Sequence, residues 1–337
     1  MDEIVVKIFE EENLWNNFLD EENYISFLQD FEYGEIEKNL GREVIRLGIF
    51  KNNKLIGVCQ IIGYKRKLSY GLVVHHGPVI KKEFLKEGLE KILEFLKKEG
   101  LNKRYHFLRI NPALPLEEDY IKIFKNFGGK LAPNYAVSEN FWLKEIKNDE
   151  EMLEEMDKTH KRLVLESLKK PYLEIEKTED LNKFSIFWSL YEDLYKRKNF
   201  KPYSKEFILE ELRLFSKKGK ASLFLGKVEN KYLSAALVIF SHQSSFYHHS
   251  ASLPIKEPLN YKMQWKIIQE TKKRNLKYYN FWGIAKKEEK KHPWYGLTLF
   301  KKGFGGKRIN LVSTFDFVFN KRYYFLWLYE KIKRKKL

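Results

Sequence analysis

A lysine set among glycines is the pattern in this chain with the clearest chemical use. The stretch Leu299-Phe300-Lys301-Lys302-Gly303-Phe304-Gly305-Gly306 puts two cations beside three glycines. Glycine allows positive φ and close approach of backbone to a ligand. A lysine held there can neutralise a phosphate or a developing oxyanion. The same letters also describe a helix that ends in basic residues and a glycine C-cap, and the stretch alone does not separate the two. Other residue types offer less. The sequence has no phosphate-loop lysine motif, no Gly-x-Gly-x-x-Gly after a strand, no His-Glu-x-x-His and no Gly-x-Ser-x-Gly. Two adjacent histidine pairs, His75-His76 and His248-His249, fall on strands. Successive strand residues point to opposite faces, so neither pair is read as a chelate and no metal is expected. The single cysteine, Cys59, rules out an internal disulfide and a cysteine-cluster metal site. It lies in the apolar run Ile56 to Ile62 and reads as a core thiol.

These residues need a scaffold, and the chain is long enough for two domains. At 337 residues, 43% of them hydrophobic, it exceeds one core of ordinary size. No apolar run is long enough to span a bilayer, and Met1-Asp2-Glu3-Ile4 lacks the basic start of a signal peptide. A cytoplasmic protein is expected. A net charge of +17 points to polyanionic partners: nucleic acid, anionic membrane or phosphorylated substrates. Lys158, Lys161, Arg162, Lys169 and Lys170 form one candidate basic patch, which reads equally as a solvated helix face.

Hydrophobic periodicity gives the elements. Strands are expected at Glu43 to Lys51, Lys54 to Lys65 and Leu68 to His76, a helix at Glu83 to Glu99, and a strand at Tyr105 to Ile110. The order recurs with strands at Ala221 to Val228, Tyr232 to His242 and Ser245 to Ser252, a helix at Pro258 to Arg274 and a strand at Tyr278 to Trp282. Asn53 and Asn230 mark equivalent turns, and Gly100 and Asn275 equivalent helix ends, at nearly the same offset. Tandem copies of one domain are therefore expected. A strand meander followed by a helix and a strand is the central order of an N-acetyltransferase-like (GNAT) fold. The reading is α/β (α+β), with two tandem GNAT domains, 1–146 and 147–315, and a C-terminal segment 316–337 packing back on the first. Acetyl-CoA enzymes of this fold carry a glycine-rich turn after a central strand. Here those places read Gly77-Pro78-Val79-Ile80 and Leu253-Pro254-Ile255-Lys256, so no CoA or other cofactor is expected.

With these pieces in order, the chain resembles the FemABX family, the aminoacyl-tRNA-dependent transferases that build peptidoglycan interpeptide bridges. The resemblance rests on Phe27-Leu28-Gln29 with Lys38 and Gly41, on Gly77-Pro78-Val79, and on Leu190 to Phe200 with Arg197. It continues through Phe246-Tyr247 to Ser250-Ala251-Ser252, Tyr279-Asn280-Phe281-Trp282-Gly283-Ile284 and Phe300 to Gly306. It implies that Lys38 and Arg197 grip the diphosphate of a sugar-pentapeptide precursor, lipid II or UDP-MurNAc-pentapeptide. It implies that Lys301 stands at the transfer site with the Phe300 carbonyl beside it. Tyr247 fits a substrate-binding tyrosine, and His249 stands where relatives have a second one. Lys81 replaces an acid found in some relatives, so no carboxylate base is assigned. No long paired-helix arm is visible, which resembles the shorter members. The implied partners are aminoacyl-tRNA and the precursor, and a monomer is expected. The aromatic and basic segment Asn320 to Leu337 reads as a core-docking helix or as a peripheral contact with the inner membrane surface. Two other functions fit the same letters: a GNAT-fold N-acyltransferase with another acyl donor, and a non-catalytic tRNA- or membrane-binding protein.

Overall fold

A computed structural model describes residues 3–66, 69–135, 137–286 and 289–334. Two compact units result: Met1–Glu139 with Asn310–Leu337, and Asn140–Ile309.

The first unit is built on an eight-stranded sheet. Ile4–Ile8, Glu43–Lys51, Lys54–Arg66 and Ser69–His75 pair antiparallel in turn; Leu68, expected in the last of these, lies outside the described residues. The hairpin between the second and third closes at Asn52 and Asn53, with φ of 49° and 63°. Positive φ at both central residues is what a two-residue turn of the right twist demands. Phe107–Asn111 then joins Ser69–His75 in parallel. A parallel pair needs a crossover, and the helix Leu85–Lys98 supplies it. That helix buries Leu85, Leu89, Ile92 and Leu96 in one core with Leu47, Ile49, Ile61 and Leu72 of the sheet. Gly100 follows with a left-handed φ of 69°. Phe315–Val318 pairs antiparallel with Phe107–Asn111. The helix Tyr323–Arg334 comes next, its Tyr323 and Leu326 packing with Phe107. Two of the sequence motifs meet inside this unit. The Gln29 amide donates to the Gln60 and His75 carbonyls at 3.2 and 2.9 Å, and a Cβ at Gly77 would lie 2.6 Å from the Gln29 side chain. Gln29 and Gly77-Pro78 are thus one packing unit.

The second unit repeats the plan. Leu173–Thr178, Ala221–Val228, Lys231–Ser241 and Ser244–Ser252 run antiparallel, and Tyr278–Gly283 joins Ser244–Ser252 in parallel. The crossover is Leu259–Lys273, followed by Asn275 at a left-handed φ of 56°. The strand Asn140–Glu145 pairs antiparallel with Tyr278–Gly283. Sequence reading leaves it in the first domain, because its pairing partners are distant in the chain. Helices Phe184–Lys198 and Lys205–Lys217 complete the unit. Among the described residues no helix is longer than 15 residues, and none is long and apolar enough to cross a membrane.

Candidate active site

The opening stretch folds as a helix, Tyr295–Lys302, with Lys301 and Lys302 in its last turn and Gly303 after it. Its glycines serve the protein's own packing. A Cβ at Gly303 would fall against the His160 ring, and Cβ atoms at Gly305 and Gly306 would strike the Glu155 and Leu143 backbones. Gly305 and Gly306 also take φ of 80° and 95°. The close approach that glycine permits is made here to protein atoms. After Gly306 the chain forms two short strands, Lys307–Asn310 and Phe315–Val318, one in each sheet.

Helix periodicity sorts the stretch into two faces. Gly296, Leu299, Phe300 and Gly303 line an open cleft of about 700 Å³ with His160 and Tyr261. His160 Nε2 lies 3.0 Å from the Phe300 carbonyl, and its Nδ1 lies 2.9 Å from Asp157. The Phe300 carbonyl is thus held by an imidazole that sequence reasoning missed. Thr298 and Lys301 occupy the other face and are buried, Lys301 to 4% exposure. Lys301 Nζ donates to the Gly283 carbonyl at 2.6 Å. Among the described residues no carboxylate pairs with it. Burial pulls its ammonium down from 10.5 to about 7.

The strand end that receives Lys301 is irregular. Pairing of Tyr278–Gly283 shifts register between Asn280 and Gly283, and Trp282 takes φ of 65°. A bulky residue with left-handed φ is an outlier, and such outliers concentrate at functional sites. Asn280 Oδ1 accepts the Trp282 N–H at 2.8 Å and holds the turn. The Trp282 ring meets His248 edge-on at 5.2 Å. Trp282 therefore links the lysine's carbonyl partner to the histidine pair.

That pair corrects a sequence expectation. Along Lys231–Ser241, Leu237 faces His249 and Val238 faces Tyr247, so His248 is the extra residue of a β-bulge. Alternation fails there, and both imidazoles turn to one carboxylate. His248 Nε2 lies 3.1 Å from Glu211 Oε1, and His249 Nε2 lies 2.9 Å from Glu211 Oε2. The three side chains are at most 5% exposed. Burial favours the neutral imidazole of His249. The same burial would raise Glu211, yet its two imidazole partners hold it down at about 2. His75 and His76 part company as expected. His75 ends its strand 3.2 Å from the Tyr64 hydroxyl, while His76 follows at a left-handed φ of 48° and reaches Ser26 Oγ and the Ser138 carbonyl.

The remaining expected residues fall in two places. Lys38 is on the helix Phe31–Asn39 of the first unit, 3.3 Å from Glu10 and 3.2 Å from Glu35. Arg197 is in the second unit, on Phe184–Lys198. It donates to Asp193 at 2.9 Å and to the Ser252 carbonyl at 2.8 Å. Ser252 ends the strand that carries Tyr247 and His249, so Arg197, Tyr247 and His249 are joined through one strand. Burial raises the Tyr247 hydroxyl. The basic patch reads as a solvated face: Lys161 pairs with Glu154, Arg162 with Glu166, and Lys170 with Glu166 and Glu257.

Comparison with known proteins matches residues 210–331 to the FemAB family. The chain is similar to lipid II:glycine glycyltransferases. It is 24% identical to that of Staphylococcus haemolyticus over 91% of this chain and 90% of the relative, and 23% identical to that of Staphylococcus aureus over the same shares. The first alignment spans 386 positions against a chain of 337, so the relative carries insertions that this chain lacks. In fold the chain resembles the crystal structure of FemX, with a TM-score of 0.83, 19% identity and coverage of 96% of this chain and 99% of the other. It also resembles a tandem GNAT protein from the clavulanic acid biosynthesis pathway, with a TM-score of 0.56, 8% identity and coverage of 95% and 99%.

Proposed function

We propose that this chain, a member of the FemABX family, is an aminoacyltransferase that adds an amino acid to the stem peptide of a peptidoglycan precursor, drawing it from aminoacyl-tRNA. The observation that carries this reading is a buried Lys301 in a chain similar over 91% of its length to lipid II:glycine glycyltransferases. The stem-peptide amine attacks the ester carbon of the charged tRNA. A C–N bond forms, the ester C–O bond breaks, and the amine's proton ends on the tRNA oxygen that leaves. An ester is already activated, so the enzyme supplies mainly position and oxyanion stabilisation. Lys301 meets that need. Desolvation lowers its ammonium to about 7, so the charged and neutral forms are close in free energy at neutral pH. A developing anion favours the charged form, and a charge in this dry site interacts more strongly than one in water. Incubation with mixed charged tRNA and precursor, read by mass spectrometry, should show one added residue. Ribonuclease should abolish the product, and acetyl-CoA should not restore it. Product that survives ribonuclease would sink the reading.

Within this reading Lys38 and Arg197 are each a precursor-binding residue that takes a phosphate oxygen in place of its present carboxylate or carbonyl partner, and Tyr247 is a binding residue. Lys38→Ala and Arg197→Ala should each weaken precursor binding by roughly 1–3 kcal/mol, the range for a charge-assisted hydrogen bond. An acceptor peptide without the diphosphate should bind both variants like wild type. Equal losses for the two acceptors would remove the diphosphate assignment.

The acceptor we favour is lipid-linked, and the C-terminal helix supports that choice. One side of Tyr323–Arg334 buries Tyr323 and Leu326. The other exposes Phe325 at 71%, Leu328 at 53%, Tyr329 at 48% and Ile332 at 52%, at helical spacings of three and four. Lys321, Arg322 and Lys331 flank this apolar stripe; the expected basic residues Lys335 and Lys336 lie outside the described residues. An apolar face with basic flanks suits an anionic bilayer surface. The protein should sediment with phosphatidylglycerol vesicles and much less with neutral ones. Phe325→Glu combined with Ile332→Glu should abolish that binding. Unchanged sedimentation would refute the contact, and a dimer dissociated by the same changes would give the face to a second copy.

A further inference from the structure

Glu211, His248 and His249 form a buried cluster, and the bond made and the bond broken in the proposed transfer call on none of its donor atoms. Two imidazoles and a carboxylate are a donor set for divalent first-row metals. Their donor atoms lie within 4.8 Å of one another. The two nitrogen–oxygen separations, 3.1 and 2.9 Å, are close to the ligand–ligand edges of about 3.3 Å that tetrahedral bonds of about 2.0–2.1 Å produce. Two elements deliver these donors: the helix Lys205–Lys217 brings Glu211, and Ser244–Ser252 brings both histidines. The bulge is what makes the second delivery possible. In an unbroken strand the two imidazoles would stand on opposite faces, and one could not reach Glu211. A bulge that re-aims a side chain is a designed feature of a sheet.

Aromatic rings enclose the cluster. Tyr203 meets His249 edge-on at 5.0 Å, Tyr191 meets it at 6.0 Å, and Trp282 covers His248. Such a shell excludes water and fixes the imidazole planes, which strengthens a metal site. A divalent cation would also place a fixed positive charge beside a carboxylate that is fully buried.

We propose that Glu211, His248 and His249 bind one divalent transition metal ion, with zinc the best-fitting class, through a Glu211 carboxylate oxygen and the two Nε2 atoms. Three protein ligands leave one coordination position for a small oxygen or nitrogen donor. The ion would pin the strand that carries Tyr247 and whose end carbonyl, at Ser252, receives Arg197. It would act as a positioning centre, outside the transfer chemistry.

The test uses the full chain stripped of metal by chelator and then dialysed. Cobalt(II), titrated in, should give the visible absorption of a four-coordinate site, saturating at one equivalent. Zinc should compete for the same equivalent in calorimetry and raise the thermal midpoint. Glu211→Gln and His249→Gln should each weaken zinc binding by about 100-fold or more, a direct-ligand loss exceeding the ~10–100-fold of outer-shell changes. Wild-type protein alone decides the case if a variant misfolds: no cobalt band and no one-equivalent zinc isotherm overturns the proposal. Binding that is unchanged in folded variants also overturns it, because the ion then sits elsewhere. The readouts are independent of transfer activity, so this proposal and the proposed reaction can fail separately.

Discussion

Lys301→Met should lower the transfer rate by ~10²–10³, the usual loss when one oxyanion-stabilising group is removed. Methionine keeps the apolar stem and fills the buried space, so the variant should fold. The effect belongs in kcat, because the charge matters most when the oxyanion develops. A second signature is independent of substrate. The lysine's affinity for protons is lowered on folding, from 10.5 to about 7. Between those values the unfolded chain binds more protons than the folded one, so this residue makes stability rise with pH across that window. Below about pH 7 the lysine is charged in both states and its burial cost is present in full. Above pH 10.5 it is neutral in both and the cost vanishes. Methionine has no such dependence. The thermal midpoint of wild type should therefore gain on that of the variant as pH climbs from about 7 toward 10.5. Near-normal turnover by the folded variant would remove Lys301 from the reaction. Parallel midpoint curves would show that the lysine is solvated.

Much of the scaffold behind this lysine was readable in the letters. The two meanders and crossover helices announce themselves because alternation and helical spacing are local signals. The turn at Asn52-Asn53 and the left-handed helix ends at Gly100 and Asn275 are residue types chosen by backbone angle. What escaped was set by distant pairing. Asn140–Glu145 belongs with Tyr278–Gly283, and nothing near it in sequence says so. The His248 bulge depends on register against Lys231–Ser241, and a period-two reading assumes the register it would need to test. Lys301 and Lys302 are adjacent and identical in type, yet one is buried and one is exposed. Only the helix's docking face separates them. His160 and Glu211 were invisible as site residues for the same reason: each is one polar residue among several on an amphipathic helix, and only the docked face singles it out.

Arg109→Met should destabilise the first unit by ~3–5 kcal/mol, the cost of breaking a buried ion pair from one side. Arg109 is on the strand Phe107–Asn111 and reaches two acids of the C-terminal segment. Nε and Nη2 donate to the two Asp316 oxygens at 2.7 and 2.8 Å, and Nη1 and Nη2 donate to Glu330 at 3.2 and 2.9 Å. The Tyr323 hydroxyl donates to Asp316 at 2.7 Å. Asp316 is fully buried and Glu330 is 10% exposed. Removing the guanidinium therefore strands two carboxylates in a place water scarcely reaches. A planar fork suits two carboxylates at once, and lysine, a point donor, should rescue only in part. The C-terminal segment is where the loss should appear. Limited proteolysis of the variant should release 316–337 early, and Tyr323–Arg334 should lose amide protection before the rest of the sheet. Replacing the whole cluster, with Arg109→Met, Asp316→Leu and Glu330→Met together, should recover most of the stability, since no charge is then left unpaired. If the single change costs less than ~1 kcal/mol, the value of a surface pair, or the triple change is no better than the single one, the cluster is solvated and does not hold the segment. The outcome also bears on the proposed membrane contact. The apolar stripe of Phe325, Leu328, Tyr329 and Ile332 faces outward because Tyr323, Leu326 and Glu330 face inward. Freeing the helix from Arg109 should weaken vesicle binding while leaving every residue of the stripe in place.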